Sequence, residues 1–242
     1  MSVDLSIVGP AFVAGLVVLA THVPLGRRVL ERGIVFLDLA VAQLAATGAV
    51  AVRLAGIEDP WAVQLAALAA ALLGAWLLHR CELRWPQRQE ALIGVTFVVA
   101  ASLVMLMLAG SPHGGEHLHD VLAGQILWAT TEQITLAAAV SAAVLVVWGL
   151  RRGQLTSAAF YALFAVAVTV SVQLVGIYLV FASLILPALV ALRRGLAAGY
   201  LAGALGYALG LVASALLDLP AGPSAVCGLA LAAAALGVRV RA

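Results

Sequence analysis

GIVFLDLAVAQLAATGAVAVR, residues Gly33 to Arg53, is an apolar run long enough to cross a bilayer, and it carries one acid, Asp38, inside it. An ionised carboxylate in hydrocarbon costs roughly 3 kcal/mol on insertion scales and more in simulations, so it requires a partner, a proton or water. Helical spacing from Asp38 reaches Ala42, Ala45, Ala46 and Ala49, a stripe of small residues against which another helix can approach closely. The acid is therefore expected to face protein and not lipid. Two readings stay open at this point: Asp38 lines a route or a site, or it is a buried acid held for packing by a helix end or by Arg32.

The rest of the chain is of the same kind. Of its 242 residues 64% are hydrophobic and 10% charged, and the mean hydropathy is +1.13. A soluble globule has an apolar share of about half. The composition thus indicates an all-α, polytopic membrane protein with residues 1–242 as a single transmembrane domain. The start, MSVDLSIVG, has no basic n-region and no cleavage signal, so the first apolar run is expected to remain as a helix. Net charge is only +2, and the basic residues are spread over short loops, which argues against a nucleic-acid partner. Cys81, in a predicted cytoplasmic loop, and Cys227, in the last apolar run, indicate neither a disulfide nor a thiolate metal site.

Runs of spanning length fall at Leu5 to Leu25, Gly33 to Val52, Trp61 to Leu78, Ala91 to Ala109 and Glu132 to Leu150, and two more at Leu196 to Leu217 and Ala225 to Val240. Ala158 to Leu192 is too long for one crossing and short for two, and Gly176 and Pro187 interrupt it. Arginines decide the orientation, because short Arg-rich loops stay in the cytoplasm. Arg27, Arg28 and Arg32 follow the first run, Arg80, Arg84 and Arg88 the third, and Arg151 and Arg152 the fifth; Arg193, Arg194, Arg239 and Arg241 complete the set. The intervening loops carry Glu58, Asp59, Glu116, Asp120 and Asp218, with Arg53 as the one basic residue near that side. The N-terminus is then outside and the C-terminus inside. An even number of crossings must separate Arg152 from Arg193, which splits Ala158 to Leu192 near Gly176. The expectation is eight or nine membrane segments, one of them broken or re-entrant.

Several residues could carry chemistry. The predicted outer loop SPHGGEHLHD holds His113, Glu116, His117, His119 and Asp120, ligand types suited to zinc and related divalent ions. Its two glycines imply no fixed tetrahedral set, so the alternatives are a weak metal-attracting mouth and a solvated polar loop. Thr131 and Glu132 read as a helix N-cap and a first-turn acid. Thr169, Gln173 and Gly176 recur at helical spacing as a polar stripe that ends at the helix break, suited to an ion route or equally to helix-to-helix hydrogen bonding. Gln43, five residues after Asp38, lies about 140° around the helix, so the two can meet one ion only through a local distortion. His22 and Thr21 read as interfacial, and Met105 and Met107 as packing. There is no GxxxxGK[ST] phosphate loop, no HExxH and no GxSxG serine, so any ATP hydrolysis must come from another subunit.

Leu174 to Ala191, LVGIYLVFASLILPALVA, resembles the late signature of the permease subunits of zinc and manganese ABC importers, the ABC-3 family. Similar to the same family are the Gly-rich second helix with its acid at Arg32 to Gly48, EALIGVTFVVA at Glu90 to Ala100, VLAGQIL at Val121 to Leu127 after an outer loop, and DLPAG at Asp218 to Gly222. The matches run in order over nearly the whole chain. The resemblance implies a non-enzymatic permease of the bacterial cytoplasmic membrane that pairs with a second permease copy. It further implies two docked cytoplasmic ATPases, an external binding protein, and Zn2+ or Mn2+ as transported substrate with no permanently bound cofactor.

Carried over onto this chain, Asp38 becomes the second-helix acid and Gln43 a weaker companion. Two departures stand out. A histidine commonly follows the acid in that helix, whereas Ala42 and Gln43 stand here. The acidic-aromatic stretch between the fifth and sixth helices is reduced to GLRRGQLTSAAF, which moves the expected ATPase contact to Arg80, Arg84 and Arg88 or to Arg193 and Arg194. The rival readings are a proton-coupled secondary metal transporter and a non-transporting membrane scaffold.

Overall fold

The structure, a computed structural model, describes residues 5–109, 126–151 and 155–237. These form nine α-helices: α1 (Leu5–Arg32), α2 (Leu37–Leu54), α3 (Pro60–Arg84), α4 (Gln89–Leu108), α5 (Thr131–Leu150), α6 (Ser157–Val175), α7 (Ile177–Arg194), α8 (Leu196–Leu217) and α9 (Ala221–Gly237). Among the described residues there is no strand, and eight of the helices are long and apolar enough to cross a membrane; α9, at 17 residues, is the shorter ninth. In hydrocarbon every backbone amide and carbonyl must be bonded within its own segment, and helices alone do this for a chain of such composition.

The helix boundaries have local causes. Gly33 takes φ +70°, and the bonds from Gly33 N to Leu30 O and from Ile34 N to Val29 O close α1 as a Schellman turn. The pattern recurs after α2, where Gly56 N bonds Arg53 O and Ile57 N bonds Val52 O. Asp59 caps α3 by accepting from Ala62 N at 2.8 Å, with Pro60 at the first helical position. The cap of α5 is Thr130 and not Thr131: its hydroxyl accepts from Gln133 N while Gln133 Oε1 accepts from Thr130 N, a reciprocal capping box, and Glu132 lies in the first turn.

The split of Ala158 to Leu192 is real and sharp. Gly176 alone joins α6 to α7, at φ +81° and ψ 163°, a backbone conformation open in practice only to glycine. The turn parts the two helices: α6 packs chiefly on α3 and α5, whereas α7 packs on α1, α8 and α9. α2 lies between, against α3 and α4 with further contacts to α6 and α7. The arginine-bearing ends of α1, α3 and α7, with Arg88 before α4 and Arg151 after α5, follow the alternation of the chain to one end of the bundle, and Arg53 lies at the other.

Small residues set the packing distances. A Cβ on Gly228 of α9 would sit 2.3 Å from the Gly206 carbonyl oxygen of α8, and one on Gly210 would sit 2.4 Å from Ala225 Cα. Backbones in direct contact are the small-residue packing that membranes favour. Proline costs are met locally. Pro24 inside α1 cannot bond back to Ala20, and the Ala20 carbonyl instead accepts the Tyr200 hydroxyl of α8 at 2.9 Å.

Candidate functional site: a buried acid without a partner

The turn at Gly33 delays α2 until Leu37, and so Asp38 stands in the first turn of that helix rather than in the interior of a span beginning at Gly33. It is nonetheless 0% exposed. Ala42, Ala45 and Ala46 are buried beside it on the same stripe, so the acid faces protein, as its small neighbours require. Neither carboxylate oxygen has a hydrogen-bond partner. Helix-end amides do not cap it, and Arg32 does not reach it. Arg32 donates to Ser157 Oγ at 3.3 Å, lies 4.4 Å over the Phe160 ring and stands 4.0 Å from Glu82.

Buried polar side-chain atoms are normally bonded, so the exceptions are informative. Among the described residues they are both oxygens of Asp38, Nε2 of His22 and Oε2 of Glu90. His22 is fully buried, contrary to an interfacial reading. Its Nδ1 lies 2.9 Å from the Val18 carbonyl, so that nitrogen carries the hydrogen and Nε2 is left as an acceptor. The spacing Gly15, Leu19, His22, Gly26 explains the burial: these share a face, on which Gly15 meets Tyr207 of α8, Leu19 meets Gly203 of α8, and Gly26 meets Leu184 and Ala188 of α7. That stripe was a legible signal for His22. Glu90, in the first turn of α4, accepts from Phe36 N at 3.4 Å, two residues ahead of Asp38, and so places a second carboxylate at the start of α2.

The other expected site residues divide. Gln43 is buried, but α2 is regular from Leu37 to Leu54, so no distortion turns it toward Asp38's side of the helix. Thr169 is buried with its hydroxyl donating to Ala165 O at 2.7 Å within its own helix, whereas Gln173, one turn on, is exposed on the surface of the single chain. The structure therefore does not gather Asp38, Gln43, Thr169 and Gln173 at one point. Among the described residues no three His, Cys, Asp or Glu side chains are grouped to hold a metal ion. His113, Glu116, His117, His119 and Asp120 lie outside the described residues, as does Arg152. Arg80, Arg84, Arg88, Arg193 and Arg194 are all exposed at the arginine-rich end, Arg80 over Trp76 and Arg84 over Trp85. Cys81 belongs to the last turns of α3 rather than to a loop, and both cysteines are free.

Comparison with known proteins agrees with this architecture. The profile of the ABC 3 transport family matches residues 4–161 and 149–238. The chain is similar in fold to PsaBC from Streptococcus pneumoniae, solved in complex with Fab, at 19% identity and a TM-score of 0.78, covering 96% of this chain and 91% of that one. It is also similar to an inward-facing structure assigned to the metal-chelate type of ABC transporter, at 15% identity and a TM-score of 0.64, covering 94% of this chain and 82% of that one. No curated protein matches. With a family match along nearly its whole length and the helical architecture of an ABC permease, the chain belongs to the ABC 3 transport family and is a multi-pass permease of an ABC transporter.

Proposed function

We propose that this permease imports a divalent cation, Zn2+ or Mn2+, by alternating access, and that Asp38 is the principal anionic stop on the route. The observation that carries the proposal is a carboxylate wholly buried in the first turn of α2 with no ion pair or hydrogen bond to compensate it. A group in that state is expensive in a membrane protein, and such residues mark ion pathways. Carboxylate oxygen also suits both metals. The resemblance of Leu174 to Ala191 and the other signature stretches to zinc and manganese importers is the reason for favouring these two ions.

In this reading the arginine-rich end is cytoplasmic, in a bacterial inner membrane, and offers Arg80, Arg84, Arg88, Arg193 and Arg194 to a separate ABC ATPase. The ion arrives from an external binding protein through the loop bearing His113 to Asp120. It then passes α2 and α6, beside Thr169 and Gln173, in an assembly of two permease copies; the exposure of Gln173 on the single chain is compatible with a route shared between copies. Asp38, being at the arginine-rich end of α2, is a late stop, reached after most of the membrane has been crossed.

The test is reconstitution of the permease in proteoliposomes with and without its co-purified ATPase, with metal uptake followed by mass spectrometry. Uptake that requires both the ATPase and ATP is expected. Metal movement by the permease alone down a pH gradient would overturn the proposal in favour of a proton-coupled carrier.

A further inference from the structure

At the arginine-rich end a cavity of about 350 Å³ opens between α1, α5, α6 and α8, apart from the helix on which Asp38 lies. Its volume falls within the range of small-ligand sites, about 300–1,000 Å³. Arg27, Arg28 and Arg32 line it together with a single acid, Glu31. Arg27 Nε donates to one oxygen of Glu31 at 2.9 Å and Arg28 Nη1 to the other at 3.3 Å, while Arg32 Nη1 is turned to Ser157. Each of these bonds engages one nitrogen of a guanidinium that has five N–H donors, so most donors of the three arginines stay available. The remainder of the wall is apolar and aromatic, with Pro24, Trp148, Phe160 and Leu196.

We infer that this cavity binds the phosphate group of an anionic phospholipid, with the acyl chains leaving along its apolar wall. The charge matches: three arginines against Glu31, and Glu82 4.0 Å from Arg32, leave one positive charge, which a phosphodiester would balance. Guanidinium donors fit phosphate oxygens in pairs. The depth matches as well. Pro24 to Arg32 is eight steps of helical rise, about 12 Å, which exceeds the roughly 5–8 Å of the headgroup layer on one side of a bilayer and so reaches the acyl region. Basic pockets between helices near the cytoplasmic surface are a recurring form of lipid headgroup recognition. A lining of three arginines and one acid beside five apolar residues fits an amphiphile better than the polar surface of an ATPase.

Native mass spectrometry of the full-length detergent-solubilised permease tests this, with dioleoylphosphatidylglycerol, dioleoylphosphatidylcholine and inorganic phosphate as probes. The wild type is expected to retain phosphatidylglycerol at least about tenfold better than phosphatidylcholine. Joint substitution R27Q/R28Q should lose about tenfold in phosphatidylglycerol retention, and R27K/R28K, which keeps the charge but not the paired donors, should lose only a few-fold. Three results would overturn the inference: equal retention of the two lipids, unchanged retention in R27Q/R28Q, or full displacement of phosphatidylglycerol by millimolar inorganic phosphate, which would mark a site for a soluble anion. Loss of ATPase co-purification in R27Q/R28Q with lipid retention intact would also overturn it and assign the arginines to the ATPase. Because Asp38 is on another helix, none of these outcomes depends on the metal-uptake result.

Discussion

Replacing Asp38 by Asn separates an acid that serves transport from one that serves the fold. Asn keeps the shape and removes the charge. Relief of an unpaired carboxylate is worth at most the roughly 3 kcal/mol it costs at a helix centre, less about 0.3–1 kcal/mol that a first-turn acid gains from the helix dipole, while an unbonded buried amide costs about 1–3 kcal/mol. No hydrogen bond or ion pair to Asp38 exists to be lost. The net effect on stability therefore lies between a loss of about 1 kcal/mol and a gain of about 2 kcal/mol. A structural anchor would behave otherwise, since breaking a buried charged pair typically destabilises by about 3–5 kcal/mol.

The effect on transport is one-sided. At an effective dielectric of about 20, a unit charge 4 Å from a divalent ion contributes about 8 kcal/mol of attraction. Even a quarter of that, about 2 kcal/mol, corresponds to roughly a thirtyfold change in rate. D38N is thus expected to lose at least about thirtyfold in metal uptake by proteoliposomes containing the ATPase, with a melting temperature raised, or lowered by no more than about 4 °C, in a thermal-shift assay. Uptake within twofold of wild type would refute the reasoning. So would a melting temperature lower by more than about 6 °C, because the acid would then be holding the fold.

Three further outcomes follow from the packing. Gly228→Ala must push α9 off α8, since its Cβ would meet the Gly206 oxygen at 2.3 Å; overpacking of this kind costs about 1–3 kcal/mol, and thermal unfolding should show the loss. Gly195 sits at φ +86° with open space around a Cβ, so Gly195→Ala isolates the backbone cost, about 1–3 kcal/mol for that region, measured in the same assay. Tyr200→Phe strands the Ala20 carbonyl freed by Pro24 and should cost about 1–3 kcal/mol, with faster hydrogen exchange around residues 20–24 by mass spectrometry.

The sequence by itself determined the membrane class, the order and approximate extent of the helices, and the break at Gly176, since bilayer thickness and the need to bond every backbone group internally act on any apolar run whatever its neighbours. It also determined that Asp38 faces protein, because the alanines that mark a close-packed face are its own helical neighbours. Details of one turn were less legible. Gly33 can adopt a positive φ, but nothing in the composition compels it to, and that choice moves Asp38 from within a span to the first turn of α2.

The tertiary structure alone decided the rest. Thr169 and Gln173 lie one turn apart on the same helix, yet one is buried and the other exposed: Ser171, Val172, Leu174 and Val175 are buried around Gln173, so the last turn of α6 is covered on every side but the one Gln173 occupies. His22 is enclosed because glycines on its own helix admit α7 and α8, whose contacting residues lie some 160–185 positions further along the chain. The arginine cavity likewise draws on four helices and exists only once their ends are brought together. Periodicity reports which face of a helix is apolar, but not which helix will cover it or how far, because crossing angles and contact distances arise from side chains distant in sequence.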